Sequence, residues 1–147
     1  MNKLNIVNYI IVHHTSRNND FPFFIKMRHI YLRGWENIGY HYLIGNKRPF
    51  TINGKLYVGR PEAFEGAHAI GYNKESLAVC LIGDFDKVSP SSKQMKALVC
   101  FLKKKIKQYN IPIESILAHN ELSTTTKTCP GKNVNIELIR ALCKNNE

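Results

Sequence analysis

Acidic residues are scarce in this chain: eleven Asp and Glu stand against twenty-one Lys and Arg, a formal charge of +10 at neutral pH. An excess of that size favours anionic partners through long-range attraction. Nucleic acid, acidic membrane surfaces and anionic cell-wall polymers all qualify, and part of the excess, around Lys103 to Lys107, reads as the solvated face of a Lys-rich helix. The usual nucleic-acid-binding motifs are missing, so specific nucleic-acid binding is not expected. Long apolar runs are missing too. No stretch approaches the roughly 18 to 20 apolar residues of a membrane-spanning helix, so membrane insertion is not expected. None of the four cysteines forms a C-x-x-C pair, and the first fifteen residues hold one Lys and an apolar run too short for a secretory leader. A disulfide framework is therefore not expected, and the chain reads as made, without a signal peptide, in a reducing cytoplasm. Repeats, linkers and low-complexity tracts are lacking as well. A length of 147 residues with 44% hydrophobic content suits one compact domain with a real core, expected to be monomeric.

What is present is an alternation of apolar runs and amphipathic stretches. Residues 4–13, "LNIVNYIIVH", are apolar on both faces, as in a central buried strand. "PFFIKMRHIYLRG" predicts a helix from Pro22 to a stop at Gly34. A strand is expected over 38–45, then a hairpin over 50–60 whose Asn53-Gly54 supplies both positive-φ positions of a type I′ turn. "SLAVCLIG" at 76–83 reads as an interior strand with Cys80 in the core. The longest helix follows, capped by Ser89 with Pro90 in its first turn, and Met95, Leu98, Val99, Leu102, Ile106 and Tyr109 form its buried stripe. A short strand at 115–119 and a last helix over about 133–143, packing through Ile136, Ile139 and Leu142, complete the chain. The order predicts an α/β (α+β) domain, a central mixed β-sheet flanked by helices.

Two of these strands end on histidine, at His13 and His119, and Cys129 lies ten residues beyond the second. Strand ends can converge on one rim of a sheet, and two imidazoles with a thiolate suit zinc with a fourth position open to water. On spacing alone, packed residues remain the more ordinary explanation. His13 is followed by His14, and alternation sends neighbouring strand side chains to opposite faces, so the two cannot serve one site.

The segments "IVHHTS", "IGYHYLIG", "LYVGRPE", "GAHAIGYNKESLAVCLIGDF", "QMKAL" and "AHNELSTTTKTCPG" carry a stronger signal. In these, over about residues 6–142, the chain resembles the zinc-dependent N-acetylmuramoyl-L-alanine amidases. It looks closest to the short phage lysozymes that are amidases, and is similar to the peptidoglycan recognition proteins. The resemblance implies that fold, and zinc held by His13, the first histidine of the V-H-x-[ST] motif, with His119 and Cys129. It implies catalytic roles for Tyr40, in G-Y-H, and Lys127, two residues before the cysteine. His68 matches a segment lining the family's substrate groove, so it is a candidate for substrate contact or a supporting hydrogen bond. The register also makes His14 a bystander and leaves His41 for packing and His29 without a role.

The activity so implied is hydrolysis of the amide between N-acetylmuramic acid and L-alanine in peptidoglycan, in the manner of a phage endolysin that reaches the wall after release from the host cytoplasm. A cytosolic muropeptide-recycling amidase is the alternative within enzymes. A non-catalytic peptidoglycan-binding module is the alternative outside them, although such relatives typically lose a zinc ligand and Cys129 is present here. Some phage amidases of this kind also bind their phage's RNA polymerase, for which the sequence offers no specific support. Two segments depart from the pattern: the loop before Cys129 is lengthened through Ser123–Thr126, and "NKRPFTING" at 46–54 is extended and expected to reshape the groove rim.

Overall fold

In the computed structural model, which describes residues 1–145, the run ending on His14 lies second from one edge of the sheet, flanked by a strand on each side. β1 (Tyr9–His14) is buried because both its faces are apolar: Ile10, Ile11 and Val12 expose nothing. Around it stand α1 (Pro22–Tyr31), β2 (Tyr42–Ile44), β3 (Leu56–Val58), β4 (Ser76–Leu81), α2 (Ser92–Tyr109), β5 (Ile116–Ala118) and α3 (Ile136–Lys144). The sheet order is β3-β2-β4-β1-β5. β2, β4, β1 and β5 run parallel and β3 is antiparallel to β2, the expected mixed sheet.

Alternation along β1 divides the core. Ile10 and Val12 join Leu77, Val79 and Leu81 of β4 against Leu98, Phe101 and Leu102 of α2 and Ile139 and Cys143 of α3. On the opposite face Leu43 and Cys80 pack with Ile25 of α1 and with Ile38. Each fully buried Ile, Leu or Val contributes about 1.5–3 kcal/mol relative to an exposed one. No helix among the described residues is long and apolar enough to cross a membrane.

Several boundaries differ from expectation, each for a local reason. Residues 4–8 are not strand: Leu4 donates its N–H to Ala63 O at 2.8 Å and Lys3 bridges Phe64, so this segment runs beside a loop. The strand expected over 38–45 shrinks to 42–44 because the Gly39 N–H is taken by the His29 ring, at 2.9 Å. At the hairpin only Gly54 has positive φ, +78°, and Lys55 N–H bonds Ile52 O at 3.0 Å. One left-handed position at the third turn residue fits a type II rather than a type I′ turn. β3 pairs with β2 rather than with residues 50–52.

The cap of α2 is Ser91, not Ser89. Its hydroxyl accepts from Gln94 N–H at 3.0 Å while the Gln94 amide oxygen accepts from Ser91 N–H at 3.1 Å, a closed capping box. Lys105 departs from the solvated face predicted for residues 103–107: it is buried and paired with Glu62 at 2.7 Å. α3 begins at Ile136 behind an Asn135 cap, later than the sequence pattern indicates.

Candidate active site

The carboxyl ends of parallel strands are where an α/β sheet leaves room for reactive groups. Here β1 ends on His13 and His14, and β5 runs directly into His119, which opens a short helical turn, 119–121. Glu121 sets that turn by accepting from Ala118 N–H at 2.9 Å, and Arg140 of α3 holds Glu121 at 2.7 Å while donating to Ile116 O at 2.9 Å. The Cys129 loop is fastened to the segment after β4. Asp86 accepts from Thr128 Oγ1 at 2.7 Å and Lys132 N–H at 2.9 Å, which holds its carboxyl below the usual carboxylate range. Gly131, at φ +113°, lets the loop close, since a Cβ there would stand 2.6 Å from the Phe85 carbonyl carbon.

These supports bring three ligating groups together: one donor atom each from His13, His119 and Cys129, all within 4.8 Å of one another. His13 Nδ1 and Cys129 Sγ are 3.6 Å apart, and the His13 and His119 rings have centroids 4.5 Å apart. A tetrahedral zinc with ligand distances of about 2.0–2.3 Å needs donors roughly 3.3–3.6 Å apart, so closure requires only small ring movements. The donor chemistry also fits. His119 Nδ1 is buried without a hydrogen-bond partner, a costly condition that a bound cation would relieve. Burial pushes the Cys129 thiol up to about 12, the Cys129 sulfur accepting the His14 backbone N–H at 3.4 Å. Burial, followed by the neighbouring His68 and His119, lowers the His13 pKa well below the ordinary value and leaves its ring neutral, as a ligand must be.

His68 hydrogen-bonds His13 through Nδ1 and His13 Nε2, at 2.9 Å, and its own Nε2 meets Ser76 Oγ at 3.2 Å. Ser76 donates onward to Tyr72 O at 2.7 Å. A partner on His13 Nε2 fixes the orientation of the His13 ring. His68 also lines a cavity of about 620 Å³ with Trp35, Ile70, His119, Thr124, Thr126 and Lys127, so it stands where both of its expected roles are open to it. Tyr40 faces His13 with ring centroids 5.1 Å apart. Burial, then the adjacent Cys80 and Cys129, raises its phenol pKa well above the ordinary value, so Tyr40 is a hydrogen-bond donor rather than a base at neutral pH. Lys127 is exposed at the cavity's edge.

The remaining histidines hold backbone. His14 points to the other face, where Nδ1 accepts from Phe85 N–H at 3.1 Å and Nε2 meets Ser16 Oγ at 3.0 Å. His41 Nε2 donates to Phe64 O at 2.8 Å, and its Nδ1 accepts from Ala78 N–H at 3.0 Å. His29 packs between Trp35 and Tyr40, and burial, with Arg33, Arg28 and Arg60 nearby, lowers its pKa to about 4. Sequence reasoning missed His29 as the acceptor that sets the Gly39-Tyr40 turn, and Asp86, Glu121 and Arg140 as the fasteners of the two ligand loops. Only the Glu two residues beyond His119 carries a local signal, as a capping acceptor. The extended segment 46–54 lines neither cavity beside the site. It braces the loop after β1 instead, Asn46 Nδ2 donating to Asn18 O at 2.8 Å, and packs Phe50 on Phe21.

A mixed sheet with imidazole and thiol donors at the carboxyl rim of its parallel strands, open to a cavity, is an α/β domain whose candidate site lies at that rim. The model for N-acetylmuramoyl-L-alanine amidase matches residues 3–132, and the chain belongs to that family. It is 34% identical over 104 residues to the endolysin of Escherichia phage T7, covering 67% of this chain and 62% of that protein. It is 28% identical over 141 residues to peptidoglycan-recognition protein LE of Drosophila melanogaster, covering 90% of this chain but 39% of that one. The chain therefore spans less than two thirds of either curated relative. Among solved structures it is similar to the endolysin N-acetylmuramoyl-L-alanine amidase LysCS from Clostridium intestinale URNW. That likeness has a TM-score of 0.83 at 33% identity, covering 95% of this chain and 85% of the other.

Proposed function

We propose that the chain is a zinc-dependent amidase that hydrolyses the bond between N-acetylmuramic acid and L-alanine in peptidoglycan, as an endolysin acting on the wall after release. The observation that carries this reading is the convergence of the His13, His119 and Cys129 donors, with His119 Nδ1 left unpaired in a buried position. When bound, zinc supplies a Lewis acid that polarises the scissile carbonyl and makes a water acidic near pH 7.

The chain's own groups do the rest. His13, His119 and Cys129 hold the ion; the His14 N–H supports the sulfur, and His68 fixes the His13 ring. Tyr40, protonated and buried, would offer a hydrogen bond to the oxygen that gains charge, and Lys127, lining the larger cavity with His119, would offer that charge a cation. Basic charge draws the protein to an anionic wall.

The test is digestion of purified sacculi by the zinc-loaded protein and by Cys129→Ala, with new termini identified by mass spectrometry. Release of L-alanine amino ends by the unmodified protein alone supports the reading, and intact sugar-peptide bonds in both digests would sink it. Activity on soluble muropeptides but not on sacculi would move the role to recycling.

A further inference from the structure

Segment 46–54 stays clear of the site's cavities, and its side chains are sorted against the usual rule that loops turn polar groups to water. Its neutral polar side chains are spent inward: Thr51 is buried and bonds Asn46 and Lys47, Asn46 donates to Asn18, and Asn53 meets Ser91. What faces water is Pro49, Phe50 and Ile52, beside the cations Lys47 and Arg48.

Phe50 continues an aromatic patch at the start of α1. Its ring centroid lies 6.0 Å from that of Phe21 and 6.2 Å from that of Phe24, and Phe21 lies 6.2 Å from Phe23. Phe23 is 58% exposed and Phe24 and Phe50 are each 42% exposed, so three phenyl rings from two distant segments stand together in water. An exposed apolar patch rimmed by polar residues marks an interaction surface. It is not part of the groove at the site. Ile25, Arg28 and His29 of α1 border a second cavity there, of about 340 Å³, which shares Arg33 with the larger one, and none of the four phenylalanines lines either.

Charge decides the occupant. Lys26 stands one turn from Phe23 on α1, and Lys47 and Arg48 precede Phe50; all three are exposed, and among the described residues none pairs with a carboxylate. The one carboxylate within residues 17–33 and 46–58 is Asp20, which is buried and held by Arg28. An uncompensated basic rim opposes a second copy of this chain over the patch and favours an anionic partner. A sugar polymer needs hydrogen-bonding groups, and those of the loop are turned inward. Nucleic-acid bases need open aromatic faces to stack on, whereas these rings pack on one another at interplanar angles from 13° to 58°. An anionic membrane takes both parts of the patch, its headgroups the cations and the apolar layer beneath them the rings, with no demand for matched shape.

We propose that Phe23, Phe24 and Phe50, with Lys26, Lys47 and Arg48, form a peripheral docking surface that seats the protein on a bilayer rich in anionic lipid. The rings enter the headgroup boundary and the cations meet the phosphates; nothing spans the bilayer. The inference is independent of the metal site, since it concerns where the protein rests and not which bond it cuts.

The test is co-sedimentation of the whole protein with vesicles of phosphatidylcholine alone or mixed equally with phosphatidylglycerol. Each cation at an anionic surface is worth roughly fivefold in affinity, so the mixed vesicles are expected to bind about a hundredfold tighter and Lys47→Ala/Arg48→Ala to lose roughly twentyfold. Phe23→Ser/Phe50→Ser, which leaves the charge unchanged, is expected to lose about tenfold or more through the lost apolar surface, with far-UV circular dichroism unchanged. Phe50→Trp, bound to mixed vesicles with brominated acyl chains, should show tryptophan quenching beyond that of Trp35 in the unmodified protein. Absence of a preference for the mixed vesicles, equal binding by Phe23→Ser/Phe50→Ser, or an unquenched Phe50→Trp overturns the proposal. Dimerisation without lipid, or binding of a single-stranded oligonucleotide tighter than that of mixed vesicles, either one abolished in Phe23→Ser/Phe50→Ser, assigns the patch to that partner and overturns it too.

Discussion

Two clusters of buried titratable groups lie on opposite faces of the sheet, and they differ in whether their hydrogen bonds close. On the α2 face Glu62 accepts from Lys105 Nζ at 2.7 Å and from the hydroxyls of Tyr42 and Tyr109, while Lys105 also reaches Gln108 at 3.0 Å. Burial pushes the Glu62 carboxyl up, but the bonds from Lys105, Tyr109 and Tyr42 outweigh it and hold the pKa below the ordinary value. On the other face His13, His119 and Cys129 are crowded together and one nitrogen has no partner. A satisfied buried network needs nothing further from outside; an unsatisfied one calls for a ligand. The difference supports the second cluster as the proposed metal site and makes the first a fastening between α2 and the loop after β3.

The comparison is broken most severely by removing a donor. His13→Ala or Cys129→Ala is expected to lower hydrolysis by about a thousandfold or more, on the order of 4 kcal/mol of transition-state stabilisation. Bound zinc measured by mass spectrometry or a chelator assay falls with it. His14→Ala should keep most of both, at a stability cost of about 1–2 kcal/mol for the orphaned Phe85 N–H. The reverse ranking of His13 and His14 would place the wrong ring in the site.

On the other face the ranking inverts. Lys105→Met, which leaves Glu62 half-buried beside two phenols without its cation, is expected to cost about 2–3 kcal/mol in urea unfolding. Zinc content and kcat/KM should stay within about twofold of the unmodified protein, because no atom of this network reaches the site. A large catalytic loss would mean the two faces are coupled. Lys127→Met should lower kcat by about ten- to a hundredfold while leaving zinc bound, as expected for a cation placed at developing charge. A change confined to KM would reassign it to ground-state binding.

The smallest effect is a slope. The His29 pKa lies at about 4 when folded, against 6.5 for the free ring. Between those values the unfolded chain holds a proton that the folded chain refuses, so stability falls as pH drops from about 6.5 toward 4. The ring is buried but borders the smaller cavity, and the polar surroundings there hold the loss to on the order of 1 kcal/mol. His29→Asn, which keeps an acceptor for the Gly39 N–H, should flatten the pH dependence of unfolding free energy in that window. An unchanged slope would show that the other buried histidines carry it alone.

Periodicity made most of the elements legible. β4 followed from apolar patterning, and so in part did the α2 stripe, where Leu98 and Leu102 are buried, Met95, Val99, Ile106 and Tyr109 are half-buried, and Phe101, outside the expected stripe, is buried; Gly34, at φ +69°, ends the first helix region as expected. Caps and turns were less legible. Ser89 and Ser91 are equally good caps by residue type, and only Ser91 has Gln94 three residues on to close the box. The Asn53-Gly54 pair is compatible with two turn types, and the contact of Ser91 Oγ with Asn53 Oδ1 at 2.6 Å arises between distant segments. The buried ion pair of Lys105 was hidden for the same reason, since its partner lies 43 positions away in the loop after β3.

By itself the sequence determined that this is an α/β domain with apolar strands, a strongly basic surface and a family-specific set of histidine, cysteine, tyrosine and lysine positions. Those are properties of residue type and short-range order, which local sterics and side-chain period dictate. Only the tertiary structure decided that the His14 ring accepts the Phe85 N–H, that His119 keeps an unpaired nitrogen, and that Arg33 joins two cavities. Each of these depends on strands from distant parts of the chain ending at one rim, and strand pairing, unlike side-chain period, is a long-range choice.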